Sequence, residues 1–443
     1  KMTFEELQKI VYDAGIVGAG GAGFPTHRKF SDKVKQIIVN AAECEPLMMV
    51  DHHILEHHLQ ALVDTLNVLI DTMGADEAII GIKGKNMHLL DTKIVASLEG
   101  TKVRIKEIPD IYPAGDEVVL TYETTGKIIP EGAIPVMVGV MVINVETVYN
   151  IHCAITNGQP VTQKYVTIGG DVDEDITVKV PVGMKIKALL EATGHGDLDG
   201  KAVINGGPMM GKHVALDSKI TKTTKGLIVL PEDHPLIQDV KLPIPKMLHM
   251  AKAACCHCSM CSEVCPRHLI GHRIEPNKTI RFASYGSLCD GSDTPMIAFL
   301  CSECRLCQYA CIMNLQPWKV NHELKGIMAK QGIKSTLHNQ PESVHPMREY
   351  KRFPIKKLIA RLGLTKYNVA APLTELTTEI DHVSIPVGQH IGAPAVPCVS
   401  VGDTVAKGDV IAQPAEGKLG ACIHASISGT VKAIADGCIS IEK

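Results

Sequence analysis

The chain has 443 residues, 45% of them hydrophobic and 21% charged, with a formal net charge of −3. That length predicts about three domains or more, and the composition is ordinary for a soluble globular protein. The near-neutral charge gives no reason to expect nucleic acid or an anionic membrane as partner. The start, Lys1-Met2-Thr3-Phe4-Glu5-Glu6, is charged and lacks an apolar core, so no signal peptide is expected. The longest nearly unbroken apolar run, 133–145, contains Pro135 and Gly139 and falls short of the roughly 20 residues a membrane helix needs. Membrane association would run through a partner protein.

Residues 3–13 carry a helical pattern with Phe4, Leu7, Ile10 and Val11 on one face, ending at Gly15. Gly18-Ala19-Gly20-Gly21-Ala22-Gly23-Phe24-Pro25-Thr26 follows, with Lys29 just beyond. Glycines at this density let the backbone approach a ligand and turn amides towards an anion, with a flexible turn as the alternative. The usual dinucleotide fingerprint follows a strand; here the predicted strand, 36–40, comes after the loop. It ends in Asn40-Ala41-Ala42-Glu43-Cys44-Glu45-Pro46, and open α/β sheets place ligands at strand carboxyl ends. A long helix is predicted over 51–73, bearing His52, His53, His57 and His58. His53 and His57 share a helical face, yet no carboxylate or thiol is expected to complete a metal site with them. The alternation continues with strand 77–83, helix 87–98 and strand 103–108, then Tyr112-Pro113-Ala114-Gly115-Asp116-Glu117 opening another helix, and later Asn144-Val145-Glu146-Thr147. This β–α order predicts a largely parallel sheet.

From about 160 to 232, strands at 165–168, 176–180, 202–205 and 226–230 surround one helix, 186–193. A glycine-rich turn, Asn205-Gly206-Gly207-Pro208-Met209-Met210-Gly211, lies among them. The stretch 255–311 then repeats one pattern. Cys255, Cys258, Cys261 and Cys265 precede Pro266, and Cys301, Cys304, Cys307 and Cys311 follow at the same spacing. Each half is spaced like the run with which bacterial-type ferredoxins hold a [4Fe–4S] cluster, the fourth thiolate serving the other cube. The sets expected from that resemblance are Cys255, Cys258, Cys261 and Cys311 for one cluster, and Cys301, Cys304, Cys307 and Cys265 for the other. Zinc is the rival, though its sites take four ligands in two pairs. Cys311 precedes Ile312 where proline is usual, and Cys256 is an extra thiol read as packing. Of the 15 cysteines the seven left over, Cys44, Cys153, Cys256, Cys289, Cys398, Cys422 and Cys438, show no paired spacing, which favours a reducing compartment. Residues 336–375 read as a linker plus one helix at 355–362; the alternative for the basic stretch from Arg348 to Arg361 is a docking surface for an acidic redox partner. The tail, 376–443, is again β.

The glycine loop with Lys29, the segment Asn40–Pro46, the Gly115-Asp116-Glu117 turn and Asn144–Thr147 resemble the flavin-binding subunit of respiratory complex I. The same blocks recur in the RnfC proteins of Rnf complexes and the propanediol-utilisation cobalamin reductase. The resemblance implies that Gly18, Gly20, Gly21, Lys29, Asn40, Asn144 and Thr147 hold FMN, and that Phe24, Glu43 and Glu117 line an NADH site. Three positions depart from the complex I pattern: Ala42 replaces an acid, and in Ala114-Gly115-Asp116-Glu117 Ala114 and Asp116 replace the Cys and first Glu of Cys-Gly-Glu-Glu. The tail, with Val401-Gly402-Asp403-Thr404-Val405 and His424–Val431, resembles the barrel-sandwich fold of lipoyl and biotinyl carriers and of RnfC proteins. Lys418 sits near a carrier-lysine position in an unusual context, so no modification is expected there.

The implied architecture is multidomain, α/β and α+β. It comprises an N-terminal α/β flavin domain (1–158), an SLBB-like β-grasp module (159–238), an α-helical dicluster ferredoxin-like domain (239–335), a linker and helix (336–375), and a β barrel-sandwich hybrid (376–443). The expected function is flavin and iron–sulfur electron transfer from NADH through FMN and two [4Fe–4S] clusters to a protein or corrinoid acceptor. The alternative is a non-enzymatic adaptor that binds both cofactors but never oxidises NADH. Expected partners are ferredoxin, a flavoprotein or reductase subunits, within a complex or homo-oligomer. The expected location is the cytoplasm, a bacterial microcompartment, or the membrane through partners.

Overall fold

A computed structural model describes residues 2–285 and 294–443; Cys289 lies outside the described residues. Four strands form the first sheet, Gln36–Ala41, Glu77–Lys83, Val103–Ile108 and Val140–Asn144. All are parallel, and Gln36–Ala41 lies between Glu77–Lys83 and Val140–Asn144. Alternation along Gln36–Ala41 divides it between two cores. Ile37, Val39 and Ala41 face the helices Phe4–Asp13, Val50–Met73 and Val145–Asn157, whereas Ile38 faces Leu120 on the helix Glu117–Thr125. With both faces covered, the strand has no solvated side, which is why it reads as an apolar run rather than an alternating one. The chain order reverses at this strand, so its carboxyl end and that of Val140–Asn144 form a topological switch point.

The expected helix at 87–98 is interrupted. A 3-10 turn, Gly84–Leu89, precedes a separate helix, Thr92–Ser97. Asp91 explains the break, because its carboxylate accepts from the amides of Lys93 (2.8 Å) and Ile94 (3.2 Å) as an N-cap.

The second sheet has six strands. Its centre is Gln163–Gly170, antiparallel to Ile176–Pro181 and parallel to Gly226–Pro231, and the helix Ile186–Ala192 covers one face. Lys212–Val214, unmarked in the sequence, adds an edge strand. At the opposite edge Leu373–Thr374 pairs with Ile176–Pro181. Phe353–Pro354 pairs with Ile111–Tyr112 beside the first sheet. The stretch expected to be a linker is therefore stitched to two other parts of the chain, and it carries the helix Ile355–Arg361. From His382 onward the chain folds as two small sheets around a core of Val383, Ile385, Ile411, Ile423, Val431 and Ile441.

Lys222 joins three of these parts. It precedes Gly226–Pro231 and is buried; its Nζ donates to the carbonyls of Gly15 (2.6 Å) and Cys422 (2.7 Å), and its amide to Gln389 Oε1 (2.8 Å). Burial lowers its pKa to about 7, with the Cys422 thiol pulling weakly the other way. An unfolded lysine keeps its proton to about pH 10, so unfolding takes up a proton between these values. The fold's stability is therefore expected to rise between about pH 7 and 10. Lys222→Met should flatten that part of the thermal-melting profile against pH.

Candidate functional site: a glycine loop beside two cysteine runs

The glycine loop is the tip of a narrow ribbon. Val17 bridges Pro25, Gly18 N–H donates to Phe24 O (3.0 Å), and Thr26 N–H donates to Ile16 O (3.1 Å). The tip rests on the start of the helix Val145–Asn157. Ala19 N–H donates to Thr147 Oγ1 (3.0 Å), and a Cβ on Gly20 would stand 2.7 Å from Asn144 Nδ2. Around Gly21 such an atom would meet nothing within 4 Å. The amides of Gly20, Gly21 and Ala22 make no hydrogen bond to the protein among the described residues. Free amides at an open tip, next to the positive end of a 13-residue helix, suit a phosphate. Gly23, at φ +78°, has no room for a side chain: a Cβ there would lie 2.9 Å from Thr223 Cγ2 and 3.2 Å from Gln389 O. Ile391 N–H donates to Gly23 O (3.0 Å), so the C-terminal sheets roof this side of the loop.

Asn40 and Asn144 are register partners at the carboxyl ends of adjacent strands, at the switch point. Asn40 Nδ2 donates to Gly115 O (2.9 Å), and Asn144 Oδ1 accepts from Glu146 N–H (2.9 Å) as the helix N-cap. Lys29 is not free: its Nζ holds Glu117 Oε1 (2.9 Å) and Val142 O (3.0 Å). Glu43 is turned inward, accepting from Asp51 N–H (2.7 Å) and pairing with Lys225 Nζ (3.1 Å). Lys225 also pairs with Asp51 Oδ2 (2.6 Å), whose carboxylate faces Asn144 Nδ2 at 3.4 Å. Burial works against the Lys225 charge, but Asp51 and Glu43 outweigh it and hold the pKa above the ordinary lysine value. Phe24 is half-buried. The structure thus gathers Gly20, Lys29, Asn40, Asn144, Thr147 and Glu117 at one place, with Glu43 beneath them.

Sequence reasoning missed Lys225 and Asp51. Their only signal was two lysines in Thr221–Lys225 before an apolar strand. The Asn205–Gly211 turn also gains a role, because the amides of Met209 and Met210 hold the Glu45 carboxylate (2.9 and 2.8 Å). A Cβ on Gly207 would collide with that carboxylate at 2.3 Å, so the turn must be bare there. Burial raises Glu45 to about 7 despite these amides. On the helix Val50–Met73 the structure corrects one expectation. Glu56 brings a carboxylate to His53 and His57, with ligand atoms within 4.8 Å of one another on a largely exposed surface.

The two cysteine runs adopt the same backbone. His257 and Ser259 (φ 56° and 61°) flank Cys258, and Glu303 and Arg305 (φ 57° and 67°) flank Cys304. Each left-handed non-glycine residue costs about 1–2 kcal/mol. Placed alike around the middle cysteine, they give both runs the same looped path, and in the second run Glu303 N–H donates to Cys301 Sγ (3.3 Å). Cys255 and Cys311 pack on one small core, Cys265 and Cys301 on another. Burial, with Cys311 and Cys255 close by, pushes the Cys261 thiol up to about 12. Burial, with Cys265 and Cys301 close by, likewise pushes Cys304 up. Thiols crowded in this way need a cation to become thiolates together, and the donor set fits iron–sulfur. The first group opens to solvent, with Cys256 and Cys258 exposed, while Cys265, Cys304 and Cys307 are buried. The buried group adjoins the glycine-loop sheet. Tyr112 Oη donates to Cys304 O (2.8 Å), and Arg267 pairs with Asp116 (2.8 Å).

Family models agree with this layout. Residues 11–153 match the Nuo51 FMN-binding domain, 254–316 a 4Fe-4S dicluster domain, and 366–442 the RnfC barrel sandwich hybrid domain. Fold and site together define a flavin and iron–sulfur electron-transfer oxidoreductase. The chain is 39% identical to the cobalamin reductase PduS of Salmonella typhimurium, covering 100% of this chain and 97% of that one. It is 38% identical to the Citrobacter freundii protein of the same name, covering 99% and 96%. Over 60% of this chain and 59% of the relative, it is 31% identical to the RnfC-type component of the Na(+)-translocating ferredoxin:NAD(+) oxidoreductase complex of Acetobacterium woodii. The chain belongs to the PduS cobalamin reductase family, which is related to the RnfC proteins. No helix among the described residues is long and apolar enough to cross a membrane.

Proposed function

We propose that the chain takes electrons from NADH at the switch point and delivers them, through two [4Fe–4S] clusters, to a corrinoid acceptor. What supports this reading is the contact of the buried cysteine group with the glycine-loop side, through Tyr112–Cys304 and Asp116–Arg267, together with the exposure of Cys258 in the other group. The PduS relatives' name supports the corrinoid end. In this reading Gly18, Gly20, Gly21 and Thr147 cradle the FMN phosphate, with Lys29, Asn40 and Asn144 fixing its polar groups. Phe24, Glu43 and Glu117 border the nicotinamide. Cys265, Cys301, Cys304 and Cys307 ligate the buried cluster, and Cys255, Cys258, Cys261 and Cys311 the exposed one. FMN, when bound, converts a two-electron donor into single electrons. The chain's own residues orient the cofactors, exclude water from the buried thiols and set electron order, with the exposed group as the exit. The modules are taken as 1–158, 159–238, 239–335 and 376–443, with the six-stranded sheet as the SLBB-like β-grasp unit. Assembly with a redox partner, inside a microcompartment or beside a membrane complex, completes this reading.

Lys29→Ala is the direct test of the flavin part. Loss of the ammonium should weaken FMN binding about tenfold or more while leaving iron content intact. Equal loss of flavin and iron would contradict separate sites. One observation favours the second reading, an adaptor that never oxidises NADH: both expected nicotinamide acids are ion-paired, Glu43 to Lys225 and Glu117 to Lys29. Anaerobic stopped-flow mixing decides. Bleaching of the flavin band by NADH within seconds supports the first; bleaching only by dithionite or a reduced partner supports the second.

A further inference from the structure

Arg267 is placed oddly for a structural ion pair. It lies two residues after Cys265, on the short helix Pro266–Leu269, with only 19% of its side chain exposed. One amino group donates to Asp116 Oδ2 at 2.8 Å. Its Nε is buried and has no hydrogen-bond partner. A buried N–H left unpaired is costly, so such a donor points to an acceptor beside it. Asp116, Cys265 and Cys304 act on its charge, and that charge also reaches the buried ring of His272. Two of these are thiols of the buried group. Asp116 is itself fixed, since its other oxygen accepts from Val118 N–H (3.0 Å) and Val119 N–H (3.2 Å) as the N-cap of Glu117–Thr125. The guanidinium is thus held from the glycine-loop side, with a spare donor and a positive charge beside the second cysteine group.

We infer that Arg267 donates its Nε–H to the sulfur shell of the cluster held by Cys265, Cys301, Cys304 and Cys307 and raises that cluster's reduction potential. Asp116 acts through it, as a positioning residue. The inference rests on the iron–sulfur reading proposed above. Reduction adds one negative charge to the cluster, and a nearby cation and hydrogen bond favour the more negative state; net charge and bonds to sulfur are established controls of cluster potential. The contact also ties the potential to the turn 112–117, which borders the flavin site.

The test is an anaerobic redox titration of the full chain, reconstituted with iron and sulfide and followed by EPR. The signal lost in Cys265→Ser identifies the buried cluster. In Arg267→Gln that cluster should titrate more negatively, with its reduced fraction at the wild-type midpoint down several-fold. A tenfold change in the equilibrium corresponds to about 59 mV for one electron. The other cluster should keep its potential, and Arg267→Lys should recover part of the shift. Asp116→Asn preserves the helix cap but loosens the guanidinium, so a smaller shift in the same direction is expected. If Arg267→Gln fails to hold the cluster, Asp116→Asn decides alone. Unchanged potentials at full iron content would overturn the inference and leave Arg267 as a docking contact. A wild-type protein with zinc and no acid-labile sulfide would instead sink the iron–sulfur reading itself.

Discussion

Cys265→Ser is expected to remove about half of the iron and acid-labile sulfide and to leave the flavin in place. Cys265 belongs by sequence to the first run, yet the structure packs it with Cys301, and Cys304 feels its charge. A serine hydroxyl is a poor substitute for thiolate at a soft-metal site. The surviving EPR signal should be that of the more exposed cluster, and Cys311→Ser should give the complementary loss. If Cys265→Ser instead perturbed the cluster of Cys255, Cys258 and Cys261, the crossed ligation would be wrong. Iron analysis and EPR on the two variants settle the matter without any activity assay.

Lys225→Met should be strongly destabilising. It leaves Asp51 and Glu43, each with only 2% of its side chain exposed, facing one another without their cation. Breaking a buried ion pair by removing one partner costs about 3–5 kcal/mol. For a domain of this size that corresponds to a fall in melting temperature on the order of 10 °C. Burial and the neighbouring Glu43 already raise the Asp51 pKa. A carboxyl whose folded pKa is raised binds more protons folded than unfolded, so the variant's deficit should shrink as pH falls towards the carboxylate range. A deficit independent of pH would mean that the lysine's stem, rather than its charge, does the stabilising. Flavin affinity should fall as well, because Asp51 faces Asn144, and Asn144 abuts Gly20.

Much of the site was legible as local pattern. The eight thiols announce themselves because iron–sulfur ligands come in tight runs whose spacing is dictated by the size of the group they surround. Asn40 sits at a predicted strand end, whereas the strand that ends at Asn144, and its pairing beside Asn40, came from the fold. The interrupted helix near residue 90 was misread because its apolar pattern runs across Asp91, whose capping bonds stop one helix and start another. The edge strands Lys212–Val214 and Leu373–Thr374 left no mark, being only three and two residues long. Glu56 joins His53 and His57 because residues three and four apart on a helix share a face, which puts its carboxylate one turn beyond His53.

The amino-acid order alone determined which chemistry this protein can hold. Soft sulfur ligands at fixed spacing and bare glycines before a parallel sheet are local properties that need no knowledge of distant contacts. Tertiary structure alone decided how those parts are wired. Lys225 meets Asp51 across 174 positions, Lys222 meets Cys422 across 200, and Arg267 meets Asp116 across 151. A lone lysine or arginine carries no period or motif, and its worth depends on what buries it and which charge faces it. Those are set only when separate sheets close over one another and water is driven out.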